Sequence, residues 1–158
     1  MRQTLPFARG PLAALAVCAS LVGDAGASAP PGRFTNPTAN TVYDTVSHLT
    51  WQKAVVDGDL PWSVASSYCA GLSVDTYTSG WRLPAIKELL TIVDYSENNP
   101  AIDQTVFPNT PSDYYWTDTC YPAGSPPCTS YAWDVNVFAG GTVDCNAVMN
   151  GFQVRCVR

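Results

Sequence analysis

The stretch from Trp81 to Tyr95, Trp-Arg-Leu-Pro-Ala-Ile-Lys-Glu-Leu-Leu-Thr-Ile-Val-Asp-Tyr, constrains the fold of this chain more than any other. Pro84 suits the first helical position, where its fixed φ fits and its missing N–H loses no partner. Ile86, Leu89, Leu90 and Val93 then recur at i, i+3, i+4 and i+7, one apolar stripe that a sheet or a second helix must cover. Asn98, Asn99 and Pro100 end the helix. An earlier helix is read from Trp62 to Ala70, with Ala65, Tyr68, Cys69 and Leu72 at the same spacing and Gly71 placed for a left-handed cap.

Arg2 and Arg9, the apolar run from Pro11 to Val22 and the small residues Ala25-Gly26-Ala27 read as a secretory signal over residues 1–27, cut after Ala27. Leu15-Ala16-Val17-Cys18 resembles a lipoprotein box, but the bulk of Val17 disfavours lipid attachment at Cys18. No later run approaches the ~20 apolar residues of a membrane span, so a soluble chain, secreted, periplasmic or at the cell surface, is expected. Cleavage leaves six basic and twelve acidic residues. That balance argues against nucleic acid and anionic membrane as partners, since both reward a basic footprint. Residues 28–40 read as an extended lead-in, with Phe34 as a possible docking residue, and residues 41–158 as one domain.

Thr41 to Asp44 and Leu49 to Lys53 read as two short strands joined by a polar turn around Ser47 and His48. After Pro100 the chain turns to aromatics, β-branched residues, Pro and Gly, which predicts strands and loops. Tyr114 to Thr119 is one strand. Tyr131 to Phe138 alternates, which predicts Tyr131, Trp133, Val135 and Val137 on a core face and Asp134 and Asn136 on the other. Gly140-Gly141 turns the chain into Thr142 to Asn146, and Asn150-Gly151 signals a hairpin before a closing strand from Phe152 to Val157.

Five cysteines follow the signal: Cys69, Cys120, Cys128, Cys145 and Cys156. Export favours disulfides over metal ligation, and one histidine offers little nitrogen for zinc. Cys69 and Cys156 both lie on inward faces, which predicts a bond between the first helix and the closing strand. Cys120 and Cys128 bracket the link between two strands and face each other if those strands are antiparallel. That pairing leaves Cys145 free; a Cys128–Cys145 bond is the competing connectivity.

No nucleophile elbow, phosphate loop or zinc-protease helix occurs. His48 has no catalytic partner nearby in sequence and reads as a turn residue, and Arg82 with Glu88 reads as an ion pair at the start of a helix. Asp94, Glu97, Asp103, Asp113 and Asp118 fall in loop-like sequence where calcium is the one metal to consider, without EF-hand spacing. The aromatics are the stronger pointer to a ligand. Tyr114, Trp116, Tyr121 and Tyr131, with Asp134 and Asn136, gather around the Cys120–Cys128 loop and form the candidate binding set. Rigid rings with polar handles suit sugars and protein surfaces.

An ordered series of short motifs runs along the chain: Arg33-Phe34, Thr41-Val42-Tyr43-Asp44, Leu49-Thr50-Trp51-Gln52-Lys53, Tyr68-Cys69, Gly80-Trp81-Arg82-Leu83-Pro84 with Lys87-Glu88-Leu89, and Val93-Asp94-Tyr95-Ser96. It continues with Pro100-Ala101-Ile102-Asp103, Phe107-Pro108-Asn109-Thr110, Tyr114-Tyr115-Trp116, Ala132-Trp133 and Val154-Arg155-Cys156-Val157-Arg158. Together they resemble the C-terminal domain family of the Legionella collagen-like protein. The resemblance implies a disulfide-stabilised α+β fold of C-type-lectin-like form: two helices on a twisted antiparallel sheet, termini close together, and a loop-rich end that binds. It also implies adhesion and binding of sulfated polysaccharides, which the acidic charge here opposes. His48 replaces a usual glycine, Pro61 replaces a usual threonine, and the Cys120–Cys128 loop is an addition. The expected function is a secreted, non-catalytic recognition or adhesion module for a glycan or cell-surface protein, without a resident cofactor. The alternative is an exported, disulfide-stabilised hydrolase or oxidase.

Overall fold

The computed structural model describes residues 29–122 and 126–158. The expected secretory signal, the lipoprotein box at Cys18 and residues 123–125 of the disulfide loop lie outside the described residues. In chain order the elements are β1 (Phe34–Thr38), β2 (Thr41–Asp44), β3 (Leu49–Gln52), α1 (Trp62–Ala70), α2 (Ile86–Leu90), β4 (Tyr114–Tyr121), β5 (Tyr131–Asn136) and β6 (Thr142–Ala147). Among the described residues they build an α+β arrangement rich in strand, with two antiparallel three-stranded sheets, β1-β2-β3 and β4-β5-β6, and two short helices.

The two sheets are joined by the C-terminal segment. Thr50 and Arg158 exchange backbone bonds at 2.9 Å, Gln52 N–H donates to the Cys156 carbonyl at 2.9 Å, and Arg82 and Val157 exchange a further pair at 2.9 Å. At its other end Gln153 donates to the Tyr114 carbonyl at 2.9 Å and accepts from Trp116 N–H at 3.1 Å. A segment flanked on both edges is covered on both faces. Val154 and Cys156 enter one core cluster with Trp62, Trp81, Leu83 and Trp116. Val157 enters the other with Val42, Trp51, Leu89, Phe107 and Val135.

Several expectations change. The lead-in is a strand: β1 pairs with β2, and Phe34 packs edge-on against Phe107 at 5.6 Å between centroids. The second helix stops at Leu90, because the β-branched run Thr91-Ile92-Val93 follows and the Thr91 hydroxyl donates to the Glu88 carbonyl at 2.7 Å. Ala85 rather than Pro84 precedes its first turn, with Ala85 N–H on the Glu88 carboxylate at 2.7 Å. Gly71 is right-handed, at φ −92°. Asn150-Gly151 makes a turn but no hairpin, since the following segment pairs with β3 and β4 instead of β6. Gly141, at φ +77°, is required twice over: a Cβ there would sit 2.5 Å from Val93 Cγ1.

Cys69 pairs with Cys156 and Cys120 with Cys128, their Cα atoms 5.5 Å and 5.0 Å apart. Cys145 is free.

Candidate binding surface

β4 and β5 are in register from Tyr114 to Trp116 and again at Cys120 and Tyr121, with an irregularity between. Thr117, Asp118 and Thr119 form this bulge, and each makes a tie elsewhere. Asp118 N–H donates to the Pro84 carbonyl at 2.9 Å, the Thr119 hydroxyl accepts from Ile86 N–H at 3.1 Å, and the Thr117 carbonyl accepts from Trp62 Nε1 at 2.8 Å. The bulge therefore docks this sheet onto both helices and sets the twist of the strand ends beyond it.

Beyond the bulge Tyr121 stands opposite Tyr131, and Trp133 stands opposite Cys145. Directly opposed residues share a face, so all four project from one side of the sheet. Tyr121 and Trp133 meet edge to face at 5.5 Å. Tyr121 is 48% exposed and Tyr131 47% exposed. This corrects the expected core face of β5. Only Val135 and Val137 of that set are buried, and towards Tyr131 the same face opens to solvent as an aromatic platform. The Cys120–Cys128 bond closes the connection beside it.

The other predicted site residues lie elsewhere. Tyr114 stacks on Phe152 at 5.0 Å, and Trp116, fully buried, donates Nε1–H to the Leu60 carbonyl at 2.8 Å. Asn136 Oδ1 accepts from Phe138 N–H and Ala139 N–H at 3.0 and 3.2 Å, and so caps the turn into β6. Asp134 is buried with one donor, Asn146 Nδ2 at 2.9 Å, while among the described residues its Oδ1 has no partner. Burial pushes the Asp134 carboxyl up to about 6, with Asp144 adding to the effect and the Asn146 bond opposing it. The structure thus brings Tyr121 and Tyr131 together and sets Tyr114, Trp116, Asp134 and Asn136 apart from them. Period-2 alternation groups Trp133 with the core residues because it cannot tell a buried end of a strand from an exposed one.

Several of the remaining ionisable candidates are engaged by neighbours. His48 sits at φ +59° in the β2–β3 turn with Tyr43 Oη 3.0 Å from its Nδ1. Glu88 takes a two-pronged bond from Arg82 at 2.6 and 2.7 Å, which holds its carboxyl below the usual range despite partial burial. Burial raises the Asp118 carboxyl, and nearby Arg82 opposes that shift. Asp94, Asp103 and Asp113 each accept from backbone N–H groups of their own turns. Among the described residues no three His, Cys, Asp or Glu side chains converge as metal ligands, and no helix is long and apolar enough to cross a membrane.

The geometry defines a disulfide-bonded α+β domain with an aromatic face at one end of its second sheet. The chain belongs to the Lcl C-terminal domain family, which it matches over residues 40–158. No curated protein sequence matches it significantly.

Proposed function

We propose that this chain is an exported, non-catalytic recognition domain of C-type-lectin-like fold, and that it holds a glycan or a cell-surface protein on the Tyr121–Tyr131–Trp133 platform without a bound cofactor. The observation that carries the reading is the platform itself. Two tyrosines about half exposed and a tryptophan in edge contact lie beside a disulfide-closed loop. Aromatic rings give large contact area at low ordering cost, and the clamp keeps the strand ends in place before a partner arrives. Two disulfides suit a site outside the cytoplasm. Membership of the Lcl C-terminal domain family agrees with this reading, since adhesion is what the resemblance implies. Both candidate catalytic groups, His48 and Glu88, are engaged in holding turns.

The test is retention of solubilised cell-surface glycans and proteins on the immobilised chain, alongside a Tyr121→Ala/Trp133→Ala variant. The wild type retains material and the variant loses it while still unfolding in one cooperative transition. Equal retention by both proteins would remove the platform from the reading.

A further inference from the structure

The outer strands of the two sheets are β1 and β3 in one and β4 and β6 in the other, and they are not protected alike. The outer edge of β3 takes Cys156 and Arg158, and that of β4 takes Gln153 and Pro84. β1 carries Pro37 and breaks register between Thr35 and Thr38. Covering segments, proline and broken register are the means by which proteins keep strand edges from joining other strands. Among the described residues β6 has none of them. Its six residues pair with β5 in unbroken register and include no Pro, Lys or Arg, and Thr142, Val143 and Asp144 are exposed.

The backbone groups on that edge can be assigned. Val148 N–H donates to the Ser130 carbonyl at 3.0 Å, so the register turns the backbone of Asn146, Asp144 and Thr142 towards β5. Val143, Cys145 and Ala147 direct theirs outward. Cys145 N–H is held by the neighbouring Asp144 Oδ1 at 2.8 Å, and the Ala147 carbonyl accepts from Asn150 N–H at 2.9 Å. Both groups of Val143, the Cys145 carbonyl and Ala147 N–H have no partner among the described residues.

This edge is complementary to itself. A two-fold axis through Cys145 sets Val143 of one copy against Ala147 of the other, so that Ala147 N–H meets the Val143 carbonyl. Val143 N–H then meets the Ala147 carbonyl, which has a second lone pair free. Cys145 N–H moves from Asp144 to the Cys145 carbonyl of the second copy, and the released Asp144 carboxylate stands opposite the second copy's Asn146. That amide gives one N–H to Asp134 Oδ2 at 2.9 Å and has another to give. An axis through Asp144 would instead oppose two carboxylates directly, which is destabilising.

We propose that β6 is the contact edge of a homodimer, pairing antiparallel with β6 of a second copy about Cys145. The two second sheets become one continuous sheet. Because opposed residues share a face, both aromatic platforms lie on the same side of it, where two linked sites raise avidity for a repeating partner. The contact itself does not depend on what the platform binds. One strand from each copy is a small interface, so the dissociation constant should fall at roughly 10 to 100 µM.

Sedimentation equilibrium of the chain as its expression host secretes it, from about 1 to 300 µM, is the test. Wild type and Cys145→Ser both dimerise, since the thiol is not the link. Val143→Pro, which removes an outward N–H and spares the ladder to β5, weakens the dimer by at least about tenfold. If Val143→Pro does not fold, two double variants decide. Val143→Glu/Ala147→Glu opposes like charges twice and is monomeric, whereas Val143→Lys/Ala147→Glu opposes unlike charges in the same register and dimerises. A wild type that stays monomeric throughout would leave the edge to a strand of some other protein and overturn the proposal. So would a dimer that survives both Val143→Pro and the double glutamate, or one that is lost only in Tyr121→Ala/Trp133→Ala, which would place the contact on the platform.

Discussion

The two sheets have equal strand numbers and the same up-and-down connectivity, yet each buries an aspartate in a different way. In the first, Asp44 is fully buried and accepts four bonds: from Arg33 Nε at 3.0 Å and Nη2 at 2.7 Å, from Val46 N–H at 2.9 Å and from the Ser47 hydroxyl at 2.8 Å. Burial pushes its carboxyl up, but the Arg33 bonds and the turn donors outweigh this and hold it at about 2. In the second sheet, Asp134 is equally inaccessible and has a single donor. One sheet uses its charge to fix the β1–β2 corner onto Thr91, whose carbonyl takes a third Arg33 bond at 2.8 Å. The other carries its charge as a liability beside the face that carries the aromatic platform. Completeness of hydrogen bonding, and not burial alone, decides whether an internal carboxylate supports the fold.

The contrast breaks most strongly at the disulfides. Replacing Cys69 and Cys156 by serine opens a closure of 87 residues between α1 and the C-terminal segment, and should lower stability by roughly 4 kcal/mol on the chain-entropy model. Opening Cys120–Cys128, a separation of 8, should cost about 2 to 3 kcal/mol by the same rule. Urea unfolding of the two double variants measures the difference, and equal losses would mean that strain or residual unfolded structure outweighs loop length.

Asp44→Ala comes next, at about 3 kcal/mol, because it leaves Arg33 partly buried without its carboxylate. The native Asp44 pKa lies below its ordinary value of 3.8, so its contribution is complete above about pH 4 and is lost as pH falls through 2. Melting curves between pH 5 and pH 2 should show this acid limb in the wild type and a flatter one in Asp44→Asn.

Asp134 has the opposite sign. Its native pKa of about 6 lies above 3.8, so the neutral acid's contribution is complete below about pH 4 and is lost as pH rises through 6. Asp134→Asn should therefore gain on the order of 1 to 2 kcal/mol at pH 7.5, with the gain shrinking towards pH 4. A variant that is less stable at both pH values would place an unseen donor on Oδ1. The smallest effect belongs to Tyr121→Ala, which should change stability by less than about 1 kcal/mol, since the residue is about half exposed.

Local pattern made much of the fold legible. The periodicity at Ala65 and Cys69 marked α1, short strand-like runs on either side of the Ser47-His48 turn marked β2 and β3, alternation marked β5, and Gly140-Gly141 marked the turn into β6. Other features lay beyond it. Phe34 to Thr38 reads as polar lead-in because an edge strand needs only one partner and little apolar surface. Asn150-Gly151 has hairpin chemistry, but the segment after it gains more by joining β3, Arg82 and β4 than by folding back on β6. Within the candidate set, strand register places Tyr121 and Tyr131 together, while Trp116 and Asp134 lie where both faces are covered.

By itself, then, the sequence determined the short-range facts: which segments pleat or coil, where glycine is needed, and that Cys69 and Cys156 face inward. Tertiary structure alone decided that the C-terminal segment runs between two sheets and that one end of β5 is core while the other is surface. The physical reason is that periodicity encodes which side of an element a residue takes, whereas burial depends on what arrives from distant parts of the chain to cover that side.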